Sequence, residues 1–260
     1  MLTSKSQEEI DLNTSNQIAT LETKLMQIHN VTMDEALDSV RQLSTSQALE
    51  TVVTPNIDHM ARLSQKDVSP QFLQVYQEAS LCLCDSKILD KLMRMKGMRV
   101  QEVITGSTLT ANLFEKVLNK QDVIMIVGGS EAVIEQLRLK YPDLVIKHYN
   151  PPMGFIDKPD EVEKAISVIE ESNANFFFLA VGSPRQEILA KKLQERGNTK
   201  GVALCIGASI LFLVGEEKRA PVWVQKISME WFYRMMQDPK RLASRYGKNF
   251  LNLPLIYRNI

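Results

Sequence analysis

No apolar run in this chain approaches the ~18–20 residues that a membrane-spanning helix requires. The first seventeen residues, MLTSKSQEEIDLNTSNQ, are polar and lack the apolar centre of a secretory signal. Together these absences lead us to expect a cytoplasmic protein. Cysteine is scarce. Cys82, Cys84 and Cys205 cannot all pair, each lies in an apolar stretch, and a C-x-C without nearby partners is poor zinc spacing, so we read them as buried thiols. The three histidines, His29, His59 and His148, are scattered without ligand spacing. There is no D-x-D pair to hold a divalent ion against a nucleotide diphosphate, no G-x-G-x-x-G, no Walker lysine and no G-x-S-x-G. The signals for a metal site, a dinucleotide and a serine nucleophile are all weak.

What is present is ordinary soluble-protein composition, 44% apolar and 24% charged over 260 residues, enough for one large α/β domain with a small appendage. The net charge of zero hides an asymmetry. Residues 1–215 hold 22 Lys/Arg against 27 Asp/Glu, and residues 216–260 hold 9 against 4. A basic tail on an acidic body suits an anionic partner such as phosphate, acidic lipid or nucleic acid, and equally a solvated helical face.

Short apolar runs alternate with longer amphipathic segments. Strands are expected at 50–54, 80–84, 99–105, 122–127, 144–149, 175–181 and 202–207. Helical patterns lie at about 33–44, 56–65, 70–79, 86–96, 108–119, 130–141, 159–172 and 184–196. Near-continuous apolar strands separated by helices imply βαβ units. The expected fold is α/β and Rossmann-like, a mostly parallel sheet with helices on both faces, plus a C-terminal helical appendage. Residues 1–21 read as a polar, disordered or loosely helical segment, 22–215 as the core and 216–260 as the appendage. Within the appendage Pro221 opens a pattern with Val224, Ile227, Trp231 and Met235 on one stripe; Asp238-Pro239 reads as a second helix start and Gly247 as its stop.

Ligands of an open parallel sheet bind beyond the carboxyl ends of the strands, so a site is expected at the strand-to-helix junctions. Thr54-Pro55-Asn56 follows a strand; Asn56 suits a helix cap, which leaves Thr54 unexplained. Asp85 follows SLCLC and reads either as a helix cap or as a general base facing the cleft. Gly128-Gly129-Ser130 offers close backbone approach and a helix start that attracts phosphate. Gly182-Ser183-Pro184-Arg185-Gln186 reads as a capping box with Ser183 as cap, Pro184 at the first helical position and Gln186 at the third. Arg185 is not explained by capping, because a guanidinium at a helix start opposes the helix dipole unless an anion is near. Two such turns on one sheet could grip a diphosphate together. With no metal expected, the cations would come from Lys218, Arg219, Arg234, Arg241 and Arg245.

DVIMIVGGSEAVIEQL, GFI, FFFLAVGSPRQE, CIGASILFLVGEEKRAP and MEWFYRMMQDPKR, in that order, resemble the bacterial WecG/TagA/CpsF glycosyltransferase family. The resemblance implies an inverting, metal-independent transferase. It would move a sugar from a UDP-sugar onto a polyprenyl-diphosphate-linked sugar at the inner face of the bacterial membrane, with no cofactor. It makes Asp85 the base on the acceptor hydroxyl and sets Thr54 and Asn56 in the acceptor pocket. Gly128, Gly129, Ser130, Gly182, Ser183, Arg185 and Gln186 would hold the nucleotide diphosphate. Arg234, as a catalytic residue, would stabilise the leaving UDP with Arg241 and Arg245, and Arg219 would bind substrate, from an appendage that touches the anionic membrane surface. Ser86 stands where most members have Gly after the base, as in the exopolysaccharide, GumM-like branch, and Leu211 stands where members often carry Asp. The main competing reading is a non-catalytic module that binds a nucleotide or lipid head group; another nucleotide-dependent enzyme on the same sheet is a second. Nucleic acid is disfavoured, since the basic tail lacks interleaved aromatics. Whether the protein forms an oligomer is left open.

Overall fold

The computed structural model describes residues 18–217, 236 and 247–260. An antiparallel hairpin, β1 (Thr20–Glu22) with β2 (Gln27–His29), precedes the main sheet. That sheet has six strands: β3 (Leu49–Val53), β4 (Leu81–Cys82), β5 (Val123–Val127), β6 (Val145–Tyr149), β7 (Phe176–Leu179) and β8 (Gly201–Cys205). They stand in the order β4-β3-β8-β7-β5-β6, and every neighbouring pair is parallel. All strand carboxyl ends therefore lie along one edge, as a ligand-binding α/β sheet requires.

Strand periodicity sorts the core into two layers. Phe176 and Phe178 join one apolar cluster, and Phe177 and Leu179 join the other, all fully buried. One layer packs under α1 (Met33–Leu43), α5 (Gly106–Asn112), α6 (Glu131–Lys140) and α9 (Ser209–Val214). The other packs under α2 (Ile57–Leu63), α3 (Pro70–Gln77), α4 (Lys87–Arg94), α7 (Pro159–Glu171) and α8 (Arg185–Arg196). This is the expected Rossmann-like architecture, with both faces covered.

The expected strand at 99–105 does not form. The segment instead carries the chain around the β4 edge, from α4 on one face to α5 on the other. Val100 enters one core cluster and Ile104 the other, which explains its strand-like apolar pattern. Its backbone bonds are irregular, Gln101 N to Asn30 Oδ1 at 2.7 Å and Ile104 N to the Cys84 carbonyl at 3.0 Å. The hairpin covers the same edge: His29 Nδ1 accepts the Cys82 N–H at 2.9 Å. Burial holds the His29 pKa below its usual value, in keeping with a ring nitrogen that accepts rather than donates.

The last helix, α10 (Leu253–Asn259), also joins the core. Ile256 and Ile260 are buried beside α2, and Lys24 N donates to the Asn259 carbonyl at 3.0 Å. Gly247, expected as a helix stop, lies instead in a helical stretch at 247–251. The helix pattern from Pro221, the Asp238-Pro239 start and residues 1–17 fall outside the described residues.

Candidate active site

The β3 and β4 ends meet first. Pairing continues past β4, with Leu83 N donating to the Val53 carbonyl and Asp85 N to the Pro55 carbonyl, each at 2.9 Å. This extension sets Asp85 beside the Thr54-Pro55-Asn56 turn. The cap of α4 is not Asp85 but Ser86, whose hydroxyl accepts from Leu89 N at 3.2 Å. The Asp85 carboxylate instead faces the next helix on the other side of the sheet. Its Oδ2 accepts the Gly106 N–H at 3.1 Å.

Around Gly106 three oxygens converge. A β-carbon built there would stand 3.0 Å from Thr54 Oγ1, 3.5 Å from Ser209 Oγ and 3.6 Å from Asp85 Oδ2. Ser209 opens α9 and donates to the Ile206 carbonyl at 2.6 Å, which leaves its lone pairs for another donor. Sequence reading missed Gly106 and Ser209, which lie 21 and 124 positions from Asp85. Asn56 does cap α2, its Oδ1 accepting from Asp58 N and His59 N, while its own N–H donates to His59 Nδ1.

The β5 and β7 turns meet second. Gly128 and Gly129 have φ of 100° and 82°, a region that side chains rarely adopt. A β-carbon at Gly128 would lie 2.9 Å from the Ala180 carbonyl, so only glycine lets the two turns touch. Gly128 N donates to the Tyr149 carbonyl at 2.8 Å, and Ser130 caps α6 through Val133 N.

The Gly182–Gln186 junction departs from its expected capping box. Pro184 (φ −89°, ψ 3°) occupies the cap position after a cis Ser183–Pro184 bond, and no side chain caps α8. Proline has no side-chain acceptor, and Ser183 stands one residue too early. Gln186 turns inward and is only 2% exposed. Its Oε1 accepts the Gly207 N–H at 2.9 Å and its Nε2 donates to Glu187 Oε1 at 3.0 Å. Tyr76 OH reaches the same Glu187 oxygen at 3.0 Å. This buried chain fixes the β8–α9 turn, which carries Ser209, to the β7–α8 turn. Burial raises the Glu187 pKa; burial, then the Glu187 charge, raises that of Tyr76 well above normal.

Arg185 curls back over its own turn, with Nε donating to the Val181 carbonyl at 2.8 Å. Arg62, which sequence reading also missed, donates to the Ser183 carbonyl at 3.0 Å and pairs with Asp58 at 2.8 Å. Asn249 in turn donates to Asp58 at 3.3 Å, so the chain's end is tied to the same corner. The structure thus brings Thr54, Asn56 and Asp85 together, and separately Gly128, Gly129 and Ser130 with Gly182, Ser183 and Arg185. Arg219, Arg234, Arg241 and Arg245 lie outside the described residues. Among the described residues no group of three His, Cys, Asp or Glu could hold a metal ion, and no helix is long and apolar enough to cross a membrane.

Residues 22–260 match the profile of the Glycosyl transferase WecG/TagA/CpsF family. A Bacillus subtilis N-acetylglucosaminyldiphosphoundecaprenol N-acetyl-beta-D-mannosaminyltransferase is 25% identical over 236 residues, 87% of each chain. A Staphylococcus aureus protein of the same name is 24% identical over 82% of this chain and 83% of its own. A third of that name, from Bacillus spizizenii, is 27% identical over 66% of each.

Proposed function

The chain belongs to the WecG/TagA/CpsF family of glycosyltransferases, and from that premise we propose a reaction. It moves a hexose from a UDP-sugar onto a sugar linked to polyprenyl diphosphate, with inversion and without a metal, in the synthesis of a bacterial surface or exopolysaccharide. The relatives' names, which specify a sugar-diphospho-lipid acceptor, support the acceptor class. The observation that carries the reading is the meeting of the Asp85 carboxylate with the Thr54 and Ser209 hydroxyls at Gly106.

In this reading the acceptor hydroxyl enters beside Asp85. Its oxygen attacks the anomeric carbon of the donor, the bond from that carbon to the diphosphate oxygen breaks, and the hydroxyl proton passes to Asp85. The Gly106 N–H holds one carboxylate oxygen, which fixes the direction of the other. Thr54 and Ser209 orient the acceptor. The Gly128-Gly129-Ser130 turn and the Gly182–Arg185 turn receive the UDP diphosphate. Gln186 acts beneath it through Gly207 and the β8–α9 turn. Charge on the departing UDP is met by Arg219, Arg234, Arg241 and Arg245, the task that a cation performs elsewhere. The basic tail rests on the anionic inner membrane surface, where a lipid-linked acceptor resides, and the protein is peripheral.

The test is release of UDP from a panel of UDP-sugars, with and without a glycosyl-diphospho-lipid acceptor. Transfer that depends on both substrates is expected. Asp85→Asn should lower kcat by about 10²–10⁴ while the fold survives; a loss under threefold removes Asp85 as the base.

A further inference from the structure

The helical stretch at 247–251 reverses the usual sorting of residues. Gly247, Lys248, Phe250 and Leu251 are exposed, the last two at 73% and 80%, while Asn249 among them is buried. A buried polar side chain beside exposed apolar ones marks a specific contact rather than core packing. Its Nδ2 donates to Asp58 Oδ1 at 3.3 Å, 191 positions away. The other Asp58 oxygen, Oδ2, pairs with Arg62 Nη2 at 2.8 Å, one turn further along α2. Arg62 Nη1 then donates to the Ser183 carbonyl at 3.0 Å, 121 positions away. Remote segments thus meet at the carboxyl edge of the sheet: the end of the chain, the start of α2 just after Thr54-Pro55-Asn56, and the β7–α8 turn.

An Asp in the first turn of a helix and an Arg four residues on make an ordinary pair, of small effect by itself. That pair does not explain the second bond of the guanidinium. The β7–α8 turn has no side-chain cap. Its successive carbonyls at Val181, Gly182 and Ser183 accept from Arg185 Nε at 2.8 Å, Gln186 N at 3.1 Å and Arg62 Nη1 at 3.0 Å. The first two donors belong to the turn and its own helix; the third comes from α2. From this geometry we propose that Arg62 is a positioning residue for the donor turn, aimed by Asp58, which Asn249 holds from the C-terminal segment. The role rests on the reading above, that this turn receives the donor's diphosphate. A carbonyl oxygen carries partial negative charge; left free, the Ser183 oxygen would oppose a diphosphate and let the turn rotate. A charge-assisted bond suppresses both effects, and the guanidinium fork lets one side chain serve a carboxylate and a carbonyl at once.

Calorimetric UDP affinity, Tm and steady-state kinetics of the full chain test this. Arg62→Lys keeps a cation for Asp58 but puts one ammonium where two nitrogens stood. Its Tm should stay within about 4 °C of the original, while UDP affinity falls about three- to tenfold. KM for the UDP-sugar should rise with it and KM for a glycosyl-diphospho-lipid acceptor should not, a split that a merely structural role would not produce. Asn249→Ala should weaken UDP binding about two- to threefold by itself and have no further effect beside Arg62→Lys, because the two act through one chain. Losses that multiply in the double variant overturn the link through Asp58. UDP affinity within about twofold of the original in Arg62→Lys, at any Tm, overturns the positioning role, as does an equal loss for both substrates. No UDP binding by the unaltered protein refutes the donor assignment, and the role of Arg62 with it.

Discussion

A methyl group placed at position 106 separates stability from turnover. Gly106 is the first residue of α5 and lies outside the left-handed region, so alanine fits its backbone. Alanine in place of glycine in a helix is worth about 0.5–1 kcal/mol, less at a first position. Against this, the new carbon would lie 3.0 Å from Thr54 Oγ1 and must displace it by a few tenths of an ångström. Mild overpacking of this kind costs about 1 kcal/mol. The two terms nearly cancel, so Gly106→Ala should unfold within about 4 °C of the unaltered protein. Turnover should not be spared. The methyl occupies the notch between Thr54, Ser209 and Asp85, where the acceptor hydroxyl is proposed to enter, and a shift of about 1 Å at a reacting centre costs about 10²-fold. Calorimetric Tm and steady-state UDP release read the two quantities on one preparation. Activity within threefold of the original, with an unchanged Tm, refutes the claim that these oxygens surround the reacting hydroxyl.

Other substitutions test the frame around that notch. Gly128→Ala forces a β-carbon to 2.9 Å from the Ala180 carbonyl at a φ of 100°, and should cost about 2–4 kcal/mol in urea unfolding. Glu187 has a raised pKa, so the folded chain holds its proton more tightly than the unfolded chain does. Its contribution is complete below the usual carboxylate range and is lost as pH rises through the raised value. Glu187→Gln should therefore match the original at low pH, exceed it by about 1 kcal/mol at pH 8, and flatten that limb of stability against pH. The thiols should be silent. Burial pushes Cys84 up to about 12 and raises Cys82 and Cys205 well above the usual thiol value, so a thiol reagent at pH 8 should label none until denaturant is added, then all three.

The alternation of apolar strands and amphipathic helices was legible because each run fixes its own element. NFFFLAV makes a buried strand in any order of the sheet, and Ser130 and Asn56 cap their helices within a few residues. The turn chemistry was less legible. The capping box at Ser183 obeyed a local rule, but Gln186 finds a better partner in Gly207 N, which no local rule supplies. Residues 99–105 show the same limit. Apolar residues that serve two opposite layers look like one strand, because sequence spacing does not say which side of the sheet each one faces.

Composition and periodicity by themselves determined an α/β chain with helices on both faces of its sheet, buried thiols and glycine turns at its strand ends, since these follow from contacts within one element or one turn. The pairing order of the strands is set by which apolar faces fit together over long separations. That order alone decided that Asp85 turns to the N–H of Gly106 rather than to its own helix, that Ser209 meets it from the far end of the chain, and that Arg62 reaches across to the Ser183 carbonyl.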